Sequence, residues 1–394
     1  MPECGPLVLS MWGGDGPPGG DHARQDAKGC FLQLSILDAV HWVGPLAAAS
    51  AAFTILLITG LIPFSRKLGL VDHPGGRKHH GTPTPVIGGI AIALGVGGSI
   101  AWYYAVDMHS SFPFGLALGA LLLLFIGVLD DLLDLAWYYR LSGQALAAIC
   151  LVCIDGTKLE LIGPVFGLAP LTLGEFSPVI TVLATIGVIN ALNMADGIDG
   201  LAGMLVTCAL GMLAAASIYA GNMTLASVLV IIMASVAGFL LFNMRSPWRA
   251  RASTFLGNSG SEFLGLLIVW ATFKLTQNYA HPVSPILAPF LIAPPIIDCL
   301  TLLARRVVNG KSPFSADRTH MHHLLIEAGF TVSGAVTVMA VASLTIGGAA
   351  AIALRGDVPQ PILLIIFIMM FLAYLTFTLD WPRAVRVVSR LRER

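Results

Sequence analysis

The chain has 394 residues, of which 56% are hydrophobic and 11% charged; its formal net charge is zero and its mean hydropathy is +0.82. Soluble domains carry about 25% charged residues, so the composition excludes an ordinary water-soluble enzyme and points to a polytopic membrane protein. With no excess of basic residues, nothing suggests a nucleic-acid partner.

Residues 1–38 are rich in Gly and Pro, including GGDGPPGGDHARQDAKG. No basic segment followed by an apolar run is present there, so the expectation is a disordered leader, or a start at Met11, rather than a cleaved signal peptide. Residues 39–382 read as one integral membrane domain and 383–394 as a basic cytoplasmic tail. Apolar runs fall at 43–63, 86–106, 113–129, 141–155, 178–194, 200–220, 224–242, 261–277, 283–303, 332–354 and 360–379, against about 20 residues needed to span a bilayer. The expected fold is therefore all-α, with about eleven transmembrane helices. A longer external loop, 155–177, contains GTKLELIG, which could form one strand of a small hairpin.

Charge distribution orients this bundle. If the first span ends in the cytoplasm, seventeen of the 22 Lys and Arg lie on cytoplasmic loops or the tail, the bias expected of inner loops. Adding or losing one span would destroy it. The same assignment gathers on the cytoplasmic side the five loops of chemical interest: 71–85, 130–140, 193–200, 243–260 and 304–323.

NALNMADGIDGLAG repeats a polar residue every third position: Asn190, Asn193, Asp196 and Asp199. That spacing is expected to set four oxygen-bearing groups along one face of a helix end, where they suit a hard cation and the phosphates it carries. The plainer alternative is helix capping. Asp130 and Asp131 end the third span with Asp134 one turn on; carboxylates at the edge of hydrocarbon tend to mark function, although a solvated helix end would look alike. Residues 304–323 hold Arg305, Arg306, Lys311, Arg318, His320, His322 and His323. His spacing alone would fit zinc, yet the basic setting without Cys suits a phosphate cradle better, and a purely topogenic basic loop is the bland reading. Lys78 offers a point charge to a phosphate at the membrane surface. Of the six cysteines, Cys150 and Cys153 form a CxxC inside an apolar run, read as packing. Together these groups fit Mg²⁺-assisted transfer of a phosphoryl group from a nucleotide diphosphate to a membrane-borne acceptor. A transporter is the rival from another class, although transporter sites sit near the bilayer midplane.

DHPGGRKHHGTPTPVIGG, GVLDDLLDL, NALNMADGIDGLAG, FLGNSGSEFLG and RRVVNGKSPFSADRTHMHHLL resemble, in order over residues 71–330, the motifs of the polyprenyl-phosphate N-acetylhexosamine-1-phosphate transferases. The chain is most similar to their bacterial undecaprenyl-phosphate N-acetylglucosamine branch; the muramoyl-pentapeptide branch typically has DDxxK. The resemblance implies transfer of GlcNAc 1-phosphate from UDP-GlcNAc to undecaprenyl phosphate with release of UMP, at the cytoplasmic face of a bacterial inner membrane. Another UDP-N-acetylhexosamine of the FucNAc or QuiNAc type is the alternative donor. Mg²⁺ is the implied cofactor, with Mn²⁺ a substitute, and a homodimer is left open. By motif, Asp130 and Asp131 are the implied catalytic pair, with an acid–base role toward the lipid phosphate. Asn193 and Asp196 fall at metal and nucleotide-sugar positions, with Asp199 nearby. Arg318, His320, His322 and His323 match the element linked to nucleotide or pyrophosphate, and Lys78 matches the basic residue near the lipid phosphate. One departure matters: where the family motif carries a metal-binding Asp, this chain has Asn258. Glu262 follows four residues later, on the same helix face, and is expected to restore the missing charge.

Overall fold

The computed structural model describes residues 21–72, 83–106, 111–167, 169–278, 283–312 and 319–393, with side chains from residue 43 on. These form fourteen helices: α1 Asp21–Ser65, α2 Gly88–Val106, α3 Phe114–Leu133, α4 Trp137–Cys153, α5 Ser177–Ala195, α6 Leu201–Tyr219, α7 Met223–Asn243, α8 Gly257–Thr276, α9 Ala288–Leu291, α10 Ala293–Val308, α11 Met321–Glu327, α12 Val332–Arg355, α13 Gln360–Leu379 and α14 Trp381–Arg392. α1 begins at Asp21, inside the segment read as a leader, continuous with the apolar turns that follow; extending a formed helix costs far less than nucleating one. α14 occupies the tail.

Every one of the eleven apolar runs falls on a helix, but fewer meet the requirements of a free-standing span. Among the described residues eight helices are long and apolar enough, and Pro285–Leu291 with Ala293–Val308, bent by 81°, is a broken pair that counts as a ninth only if it forms one span. The break precedes Pro294 and Pro295, which occupy the first turn of α10 and cannot donate to the preceding carbonyls. Of the other two, α4 has 17 residues, and α8 carries Asn258, Glu262 and Lys274. α8 tolerates those polar groups because it touches other helices rather than lipid. It packs against α2, α3, α4, α5, α6 and α7, and seventeen of its 20 residues are buried.

Small residues allow that central position. A Cβ on Gly127 of α3 would stand 2.3 Å from Ser259 Cα, and one on Gly89 of α2 would stand 2.3 Å from the Gly260 nitrogen. Without side chains at these crossings the backbones approach closely, as in membrane helix pairs generally.

Two short antiparallel hairpins close the ends. β1 (Val71–Asp72) pairs with β2 (Thr84–Pro85), and the Phe255 N–H donates to Pro85 O (2.8 Å), which holds the entry to α8 against it. The expected second hairpin is present as β3 (Leu161–Gly163) with β4 (Leu171–Thr172). Gln277, at the far end of α8, accepts from the Glu160 and Leu161 N–H groups at 3.0 and 2.8 Å.

Candidate active site

The site is built where α3, α5 and α8 meet. α8 begins without a cap of its own, and Asp131 supplies one from α3. Its Oδ1 accepts from the Asn258 N–H (2.9 Å), and Oδ2 from the Ser259 N–H (3.3 Å) and hydroxyl (2.9 Å). These donors are ones a helix start leaves orphaned, and a negative charge suits that end of the helix dipole. Gly257 makes the approach possible: its φ is +77°, and a Cβ there would lie 2.6 Å from Asp131 Oδ2.

Asp130 points elsewhere. It is buried; Oδ1 accepts from the Leu135 N–H (2.8 Å), and Oδ2 pairs with Arg140 at 3.4 Å. Adjacent residues on a helix lie about 100° apart, so the implied catalytic pair divides into one group closing the α3–α4 turn and one facing α8.

The NALNMADGIDG loop also divides its tasks. Three residues along a helix leave a rotation of about 60° per step, so its four polar groups fan out rather than share the expected single face. Asn190 donates to Gln144 Oε1 (2.6 Å), and Gln144 in turn donates to Glu262 Oε1 (2.8 Å). Asn193 donates to Asn258 Oδ1 (2.8 Å) and Ser261 Oγ (2.9 Å). Asp199 accepts from Arg245 Nε (2.7 Å) and the Ala252 N–H (3.2 Å). Asp196 follows the last turn of α5, half-buried, and its carboxylate has no hydrogen-bond partner among the described residues. Burial, with the nearby carboxylates of Asp131 and Asp199, pushes its pKa up to about 7.

The histidines reach this loop from the other end of the chain. His322 on α11 is buried, with no partner on either ring nitrogen among the described residues, and a Cβ on Gly197, the residue after Asp196, would stand 2.3 Å from its Nε2. Burial, then His323 and His320, lower its pKa, keeping the imidazole neutral. His320 stacks on His322 with ring centroids 5.3 Å apart, and His323 lies 4.3 Å from His322.

Of the other expected contacts, Arg305 is taken up by backbone and hydroxyl oxygens. It donates to Thr319 O (2.5 Å), Thr319 Oγ1 (2.8 Å) and Thr378 O (3.2 Å). Arg306 is buried beside it on α10. Lys78 and Arg318 lie outside the described residues. Asn258 and Glu262, expected to serve a cation together, each use one oxygen as a hydrogen-bond acceptor; Glu262 Oε2 is buried without a partner among the described residues. Among the described residues no three His, Cys, Asp or Glu side chains form a ready-made metal site. What the loops offer is hard oxygen donors beside the neutral His322 imidazole.

Residues 113–276 match the model of glycosyl transferase family 4. An undecaprenyl-phosphate alpha-N-acetylglucosaminyl 1-phosphate transferase of Yersinia pestis is 35% identical over 329 residues, 83% of this chain and 89% of that protein. Proteins of the same name from Escherichia coli strain K12 (32% over 358 residues; 89% and 96%) and Haemophilus influenzae (34% over 347 residues; 87% and 95%) are similar at comparable length. The chain belongs to the polyprenyl-phosphate N-acetylhexosamine-1-phosphate transferase family. It is a multi-pass membrane enzyme, a glycosyl-1-phosphate transferase, and the transporter reading falls away.

Several residues that hold the transferase's site together escaped the sequence reading. Asp298 on α10 is buried; it accepts from His320 Nδ1 (3.0 Å), the Met321 N–H (2.8 Å) and the Tyr374 hydroxyl (3.3 Å). A lone carboxylate in the apolar run PPIIDCLTLL was the available signal. Asn243 accepts from the Gly200 N–H and donates to Thr254 O, both at 2.8 Å. It and Gln144 meet partners distant in sequence, and nothing local marks them.

Proposed function

We propose that this transferase moves N-acetylglucosamine 1-phosphate from UDP-GlcNAc to undecaprenyl phosphate, giving undecaprenyl-diphospho-GlcNAc and UMP. It does so at the cytoplasmic face of the bacterial inner membrane, as the first membrane step of a surface polysaccharide such as O-antigen or a cell-wall polymer. The observation that carries the reading is the buried, neutral imidazole of His322, unpartnered among the described residues and packed against Gly197, the residue that follows the half-buried carboxylate of Asp196. The names of these relatives supply the sugar and the lipid.

The donor set fits Mg²⁺, which usually takes one or two carboxylates and completes its shell with water and substrate phosphates. Asp196 and Asp131, with the Asn193 carbonyl oxygen, would hold it. When bound, the ion supplies positive charge against the diphosphate. In the reaction, an oxygen of the lipid phosphate attacks the β-phosphorus of UDP-GlcNAc, and the bond to the α-phosphate oxygen breaks to release UMP. His322 donates an N–H to the departing phosphate, and the Asp298–His320 pair fixes the orientation of the neighbouring ring. Asp130, bound to Leu135 and Arg140, is a positioning residue that keeps the α3–α4 turn closed.

The test is UMP release by purified protein with undecaprenyl phosphate and a panel of UDP-N-acetylhexosamines, with the lipid product weighed by mass spectrometry. UDP-GlcNAc is expected to be the preferred donor. Preference for a FucNAc or QuiNAc donor would move the specificity, and release from none of them would overturn the reading.

A further inference from the structure

α14 starts two residues after α13 ends, so a spanning helix delivers it to the membrane boundary. Its N-terminus is capped by Asp380, whose Oδ1 accepts from the Arg383 N–H (3.1 Å). One face looks inward: Ala384 is buried, and Val388 packs on the cluster that includes Leu325 and Phe330. The outward face combines Arg383, Arg386 and Arg390 with exposed Val387 and Leu391. None of these three arginines has an ion-pair partner among the described residues. Basic side chains interleaved with apolar ones, next to a span, are what an interfacial helix needs to lie on anionic headgroups.

The inward contacts give that surface a purpose. Trp381 Nε1–H donates to Glu327 Oε2 (2.7 Å), Ser389 Oγ donates to Ala328 O (3.2 Å), and the Arg392 guanidinium lies 5.9 Å from the centre of the Phe330 ring. Glu327 ends α11, the helix that begins at Met321 and carries His322 and His323. α14 is thus a strap across the back of the histidine helix, with its other side free to meet lipid.

We propose that the outward face of α14 (Arg383, Arg386, Val387, Arg390 and Leu391) docks on the anionic lipid headgroups of the adjoining leaflet, and that this contact steadies α11 and its histidines. Charge complementarity favours lipid over a second copy of the chain, because two such arginine faces repel. The docking does not depend on the reaction catalysed; its consequence for rate rests on the function proposed above.

The test uses full-length protein in nanodiscs of phosphatidylcholine alone or with phosphatidylglycerol, followed by hydrogen–deuterium exchange over residues 320–328 and 381–392. Each arginine near an anionic surface contributes roughly fivefold to docking, so three contribute on the order of 100-fold. Exchange in both segments is expected to slow about tenfold or more in anionic discs, and added salt to reverse the effect. Arg383→Gln/Arg386→Gln/Arg390→Gln is expected to abolish the difference, and the matching Lys triple to keep it. Equal exchange in the two discs would overturn the proposal, as would protection that follows protein copies per disc rather than lipid charge. Absence of UMP release in every disc would count against the proposed reaction while leaving the exchange result readable.

Discussion

Asp196 and Glu262 are two carboxylates in unlike circumstances, and they predict unlike mutants. The Asp196 carboxyl titrates near pH 7 rather than at its ordinary 3.8. The folded chain therefore holds a proton that the unfolded chain has lost between those values, and this residue's contribution to stability falls as pH rises from about 4 to about 7. Asp196→Asn breaks no hydrogen bond and relieves repulsion from Asp131 and Asp199. It should leave the melting temperature at pH 8 equal or higher and flatten the pH dependence of melting. UMP release should fall on the order of 10²-fold or more, the scale of losing a key electrostatic group. In the parent, release should climb through about pH 7, and added Mg²⁺ should shift that limb to lower pH. Glu262 is already engaged through Gln144, and a Gln at 262 still presents a carbonyl oxygen to that amide. If its charge offsets Asn258, Glu262→Gln should raise severalfold the Mg²⁺ concentration needed both for half-maximal release and for thermal protection. Asn258→Asp on that background should restore both. An unchanged Mg²⁺ requirement would remove Glu262 from the cation's surroundings.

At the scale of elements, α8 is the member on which the others depend, and the helix crossing at Gly127 sets its depth. An added methyl at Gly127 would collide with backbone rather than with a movable side chain, since the nearest atoms are Ser259 Cα and N. Gly127→Ala should therefore cost about 1–3 kcal/mol, read as a lower melting temperature in detergent, and should pull Asp131 away from the α8 N-terminus. The outer helices were legible from hydropathy, because lipid contact demands long apolar runs. The centrality of α8 was not: it carries Asn258, Glu262 and Lys274, and only burial among six neighbours explains why that is tolerated. Motif spacing singled out the loops around Asp130, Asn193 and His322, but not the direction of each side chain. Asp130, Asn190 and Asp199 turn to Arg140, Gln144 and Arg245, partners outside the motifs, so the division of tasks becomes visible only in three dimensions.

For the molecule as a whole, the histidine helix must be brought from the C-terminal third to a loop more than a hundred residues earlier, and Arg305 is a principal tie. Sequence placed it on substrate; the structure places its guanidinium among Thr319, Thr378 and the Trp381 ring, whose centre lies 5.6 Å away. It thereby joins α10, the approach to α11, the end of α13 and the start of α14. A lysine keeps the charge but not the planar fork or the stacking, so Arg305→Lys should lose about 1.5–3 kcal/mol of stability, the usual worth of a charged hydrogen bond. Hydrogen exchange over residues 319–327 should quicken, and kcat should fall as His322 loses its place against Gly197. A residue that merely gripped the nucleotide would behave otherwise. The same variant would then raise KM for the donor while leaving melting temperature and exchange untouched, and that pattern would return Arg305 to the substrate.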